Sequence, residues 1–239
     1  MVALCEVYHE GHYIHSGAAY WLQMILNVPT NFFLLPGVLL TWKLELPIDA
    51  IIGMSALSCS SVYHILQAGG GEILGASEYR WHVVDNLFAA ICLAGTPIMA
   101  FQHPFPPYEC LFKYLAVIIS ALAIYLSPMS KVHLATAIAW PYVVVLGHRL
   151  RSRTWPHTDT AWWLVAALVS IVLSVLFFWL GLSATRDPNR AAHGFWHITV
   201  AAFHFSLTKY LNPPCVVEVR RAGWKILRGE SQKEDEIIV

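Results

Sequence analysis

The sequence predicts an all-α, polytopic membrane protein, a seven-transmembrane helix bundle, on three observations. Of its 239 residues 57% are hydrophobic and only 13% charged, about half the charged fraction of an ordinary soluble domain (~25%). Seven stretches approach the ~20 apolar residues that carry a helix across the hydrocarbon core of a bilayer. Ten Trp and ten Tyr suit the aromatic belts where spans meet headgroups. The formal net charge is zero, so no basic field points to nucleic acid as a partner.

The first stretch, residues 18–42, is too long for the core of a signal peptide and reads as a span. The second covers 47–66 and closes on Ser60, Ser61, Val62, Tyr63 and His64. A glycine-rich loop, 68–75, leads to the third, 80–101, which opens with Trp81, His82, Val83, Val84 and Asp85. The fourth and fifth, 110–126 and 132–150, are separated only by the turn at Ser127 and Pro128, and merging them would change the count. Pro141 marks a place for a kink in the fifth. The sixth covers 159–183 and the seventh 191–211. Residues 1–17 form an extramembrane segment, 18–211 the membrane domain, and 212–239 a polar tail read as cytosolic and partly disordered.

Arginine and lysine set the expected orientation. Arg80, Lys131, Arg186 and Arg190 fall on the side of the N terminus, whereas Lys43, Lys113, Arg149, Arg151, Arg153, Lys209 and the tail cations fall on the other. Positive loops stay in the cytoplasm. The N terminus is therefore expected in the lumen or outside and the C terminus in the cytosol, in an endomembrane (ER or Golgi) or the plasma membrane. The five cysteines are scattered without CxxC spacing and read as packing residues, not a disulfide framework or thiolate site.

His193 and His197 stand four residues apart in the seventh stretch, so both imidazoles share one helix face. A single histidine in an apolar helix is more often a hydrogen-bonded core residue, and HxxxH alone is a permissive motif. The second stretch repeats the spacing with Ser60 and His64. Alternating spans bring the close of the second, the start of the third and the start of the seventh to one leaflet, so Ser60, His64, Asp85, His193 and His197 can converge. Taken singly, each has an ordinary explanation. Ser60 can back-bond to its own helix, His64 can meet a helix C terminus, and Asp85 can favour a helix N terminus. Together they place ionisable groups at membrane depth, where such groups are functional by default.

Chemically the set reads as a catalytic zinc centre inside the membrane. Three neutral imidazoles, His64, His193 and His197, leave a fourth position open for water, as in catalytic zinc sites. Zn2+ would bring the pKa of that water to about 7 and polarise a carbonyl. Asp85 then serves as general base or holds the water, and Ser60 orients the water or stabilises an oxyanion. His82 competes for a ligand position, whereas His204 is expected to hydrogen-bond within the bundle. Cys5, Glu6, His9, Glu10, His12 and His15 form a second polar cluster, read first as a solvated lid and second as a cation site.

The combination of Ser60 with His64, Asp85, and His193 with His197 resembles the CREST superfamily of seven-span metal-dependent hydrolases. That group includes alkaline ceramidases, progestin and adipoQ receptors, GPI-remodelling proteins, and the TMEM8 and myomaker proteins. His193, Gly194, Phe195, Trp196, His197 and Ile198 are similar to the ceramidase pattern. Val84 and Asp85, followed by Ala94, Gly95, Thr96 and Pro97, look like the receptor branch, and Ser61, Val62, Tyr63 and His64 fit the myomaker branch. The resemblance implies a zinc-dependent hydrolase cleaving an amide or ester bond in a membrane lipid, a sphingolipid or phospholipid. Its alternative is a non-enzymatic protein of the same fold, receptor-like or remodelling membranes, with a structural zinc. No broken-helix pair or internal repeat supports a transporter.

Overall fold

The structure, a computed structural model, describes residues 18–101, 106–127, 130–152, 160–181, 187 and 190–227. The N-terminal cluster from Cys5 to His15 lies outside them. Helix α1 (Ala18–Asn31) runs through the 3-10 turn Phe32–Leu34 into α2 (Leu35–Lys43). Pro29 and Pro36 flank that turn, and each removes a backbone donor, so the ladder tightens there instead of continuing as ideal α-helix. Next come α3 (Pro47–Gly69), α4 (Glu78–Gly95) with a 3-10 extension (Thr96–Phe101), and α5 (Pro106–Leu126). The last four are α6 (Lys131–Ser152), α7 (Ala161–Gly181), α8 (Ala191–Leu211) and α9 (Pro214–Leu227).

The described residues are thus all-α apart from one small hairpin. Among the described residues five helical stretches, Tyr20–Lys43, Pro47–Gly69, Glu78–Met99, Tyr108–Leu126 and Ala161–Gly181, are long and apolar enough to cross a membrane. Their outward faces are apolar, with Val165, Leu168, Val169 and Val172 of α7 all exposed. An apolar surface of that extent needs a lipid or protein partner. Helices α6 and α8, of 22 and 21 residues, have the length but lower apolar content. In α8 the deficit comes from His193, His197 and His204. Helices α5 and α6 are separate, and α6 continues through Pro141.

Two features position the site. First, α3 and α4 are joined by strands β1 (Glu72–Ile73) and β2 (Ala76–Ser77), paired antiparallel. Leu74 and Gly75 between them both have positive φ (55° and 70°), as a two-residue hairpin turn with the twist of its strands requires. Trp81 Nε1 donates to Ile73 O at 3.0 Å, which pins the hairpin onto α4. Second, α8 packs along α7 and also meets α1 and α2. A Cβ at Gly194 would stand 2.8 Å from Leu26 O, and one at Gly181 would stand 3.1–3.3 Å from backbone and Cβ atoms of His193. Both helix contacts therefore depend on the missing side chain.

The far end of α8 enters the main core, where Phe203, Leu207, Tyr210 and Leu211 meet Leu46, Met99, Val145 and Ala167. Beside this core, Lys113 Nζ donates to Asp49 Oδ2 and, at 2.7 Å, to Glu109 Oε1. Arg220 donates to Asn212 Oδ1 at 2.9 Å and reaches Glu109 Oε2 at 3.5 Å. Asp49, Glu109, Lys113 and Arg220 are each 4–7% exposed. Asp85 is thus not the sole buried acid, and Lys113, Arg149 and Arg220 are buried instead of standing as free loop charges. The tail opens as helix α9, where the composition predicts partial disorder.

Candidate metal centre

His64 reaches the site from the last turns of α3, and His193 and His197 from the first turns of α8. One ring nitrogen from each lies within 4.8 Å of the others. His193 Nε2 and His64 Nε2 are 3.2 Å apart. The three ring centroids form a near-equilateral triangle with sides of 4.9, 4.9 and 4.7 Å.

Hydrogen bonding decides which nitrogen His197 and His64 present. Thr30 Oγ1 directs its proton to Leu26 O and Asn27 O, at 2.6 and 3.0 Å. It can therefore only accept from His197 Nδ1, 3.1 Å away. The proton of His197 sits on Nδ1 and its lone pair on Nε2, a buried atom with no hydrogen-bond partner. In the same way Gln67 Nε2 donates to the Tyr63 hydroxyl at 2.8 Å, so Oε1 faces His64 Nδ1 at 2.9 Å and accepts its proton. Orientation of ligand imidazoles through their second nitrogen is the usual support of a metal site.

The backbone around His193 is latched as well. Asp187 Oδ2 accepts from His193 N at 3.0 Å and Arg190 donates to Gly181 O at 2.8 Å. One bond covers an orphan amide at the start of α8 and the other an orphan carbonyl at the end of α7. Trp196 packs against Phe178 and Phe195 against Phe177.

A metal fits this donor set. Three nitrogens at about 2.05 Å from a tetrahedral zinc stand ~3.3 Å apart, close to the spacing of His64 and His193, and the bare His197 Nε2 lacks a partner that a cation would supply. Next to the triad lies a cavity of about 60 Å³ bounded by Ser60, Asp85, His197 and His204, with apolar walls such as Leu57 and Val200. Ser60 and Asp85 both face this cavity. All five residues singled out from the sequence therefore gather at one end of α3, α4 and α8.

His82 is not among the three rings; it stacks on Tyr63 with centroids 4.4 Å apart. His204 bonds within the bundle through Thr96 Oγ1, 2.9 Å from its Nδ1. Sequence reasoning missed Thr30 and Gln67. Their available signals were modest: Gln67 follows His64 by three residues, and Thr30 lies in the run of buried polar positions Gln23, Asn27 and Asn31 on α1.

No curated protein matches the chain. Residues 19–198 match the model of a family described as a protein of unknown function, DUF3522. That segment contains Thr30, Ser60, His64, Gln67, Asp85, His193 and His197, so the whole constellation lies inside the matched region. The chain, matched over more than half its length, belongs to the DUF3522 family.

Proposed function

We propose that this protein is a seven-span membrane hydrolase that uses zinc to cleave an amide or ester bond in a membrane lipid. One observation carries the reading: three imidazoles, two of them with lone pairs oriented by hydrogen bonds, converge beside a cavity that also holds a carboxyl and a hydroxyl. When bound, zinc supplies a Lewis acid and water acidic enough to act near neutral pH. The protein's own groups do the rest. Asp85 takes the proton of the attacking water and later passes it to the departing amine or alcohol. Ser60 holds the Asp85 carboxyl in place, or turns its hydroxyl to the carbonyl oxygen as charge develops there. Leu57, Val200 and their neighbours exclude water around the scissile group. The lipid arrives laterally from the leaflet nearest the histidines, lumenal or extracellular if the remaining loop cations set the topology.

The second reading, a receptor-like or membrane-remodelling protein with structural zinc, draws on the size of the cavity. About 60 Å³ is small against the ~300–1,000 Å³ of ordinary ligand pockets. Two measurements separate the readings. Purified full-length protein should hold about one zinc per chain by elemental analysis, lost in His64→Ala and His197→Ala. Ceramides and lysophospholipids should be hydrolysed by wild type and not by Asp85→Asn, which keeps its zinc. Zinc that is absent, or bound independently of the histidines, overturns the metal centre. Histidine-dependent zinc with both lipid classes left intact overturns the hydrolase and leaves the structural reading.

A further inference from the structure

Helix α9 buries one face at the end of a spanning helix. Val217 and Arg220 are buried. Arg220 reaches Asn212, just past the end of α8, and Glu109 in the first turn of α5. On an exposed flank Arg221 donates to Glu45 at 2.9 Å, in the turn after α2. These contacts tie α9 to the level at which the spanning stretch Tyr108–Leu126 begins.

The rest of the helix surface divides into two stripes. Glu218, Arg221 and Lys225, at spacing i, i+3, i+7, are exposed and charged. Val219, Ala222 and Ile226 repeat that spacing on the adjoining face, and Val219 and Ile226 are 53% and 74% exposed. A helix with a protein-facing edge, a charged edge and an apolar edge matches three surroundings: the bundle, water and acyl chain. Helix α5, which α9 contacts, likewise exposes apolar side chains, Leu111, Tyr114 and Ile118, along a stretch apolar enough to cross a membrane.

We propose that α9 lies in the plane of the bilayer surface, with Val219, Ala222 and Ile226 in the acyl–headgroup boundary and Arg221 and Lys225 at headgroup level. An in-plane helix binds through its apolar area, supplemented by attraction of its cations to phosphate. Its occupant is therefore the lipid leaflet that surrounds α5, and the zinc reading is not needed for it.

The test uses the full chain in vesicles of phosphatidylcholine and phosphatidylglycerol. Nitroxide labels are placed singly by Val219→Cys, Ile226→Cys, Glu218→Cys and Lys225→Cys in a chain whose own cysteines are alanine. Accessibility to oxygen relative to a water-soluble nickel chelate should be several-fold higher at 219 and 226 than at 218 and 225. Labels at 219 and 226 that the nickel reagent reaches as readily as those at 218 and 225 place α9 in water and overturn the proposal. Labels shielded from both reagents place the stripe against protein, such as a second copy, and also overturn it. If the cysteine-free chain fails to elute as folded protein, a photoreactive diazirine amino acid at 219 or 226 of the native chain replaces the labels. Lipid adducts then support the in-plane helix, and protein adducts or none overturn it.

Discussion

Thr30 has one proton and commits it to backbone carbonyls of its own helix, which leaves its oxygen as an acceptor for His197 Nδ1. Thr30→Val keeps the shape and removes the acceptor. With metal bound as proposed, zinc affinity should fall by about 10–100-fold, the usual cost of losing such a partner, while helicity by circular dichroism stays the same. Competition with a zinc-sensing chelator measures it. Gly194 makes a steric demand of a different kind. A methyl group there would meet Leu26 O at 2.8 Å, and a backbone carbonyl cannot swing aside as a side chain can. Gly194→Ala should cost roughly 1–3 kcal/mol of stability, as overpacking does, seen as a lower thermal midpoint in detergent. It should also weaken zinc binding, because the displaced helix carries two ligands.

Elements were legible in the sequence where one signal dominated. Helices α3 and α8 stand close to where apolar length and the spacing of Ser60, His64, His193 and His197 place them. Thr30 was not legible, because a threonine in an apolar run has no reactive identity until a histidine from α8 stands beside it. Helix α9 was obscured because its apolar residues divide between two faces and its charges resemble a solvated tail. The Asp49, Glu109, Lys113 and Arg220 cluster escaped because its members come from three helices and cancel in charge. That cluster makes its own prediction. Lys113→Met leaves the buried Asp49 carboxyl without its cation and Glu109 with Arg220 alone, and should cost about 3–5 kcal/mol, as breaking one side of a buried ion pair does. Adding Asp49→Asn should restore part of the loss in the same denaturation assay.

For the molecule as a whole, the proposed metal links α3 to α8 across the bundle, so its removal should loosen contacts well beyond the three rings. Stability should rise by about 1.4 kcal/mol for each tenfold increase in free zinc above its dissociation constant. Thermal denaturation in zinc buffers measures this slope, and His64→Ala should flatten it. The wide spacing of the donors along the chain has a further consequence, in biosynthesis. His64 and His193 are 129 residues apart, so a nascent chain has inserted most of its helices before the second donor leaves the ribosome. A chain truncated ahead of α8 carries one imidazole of the triad. Loading with the proposed metal would thus mark a finished polypeptide, as opposed to an unfinished one.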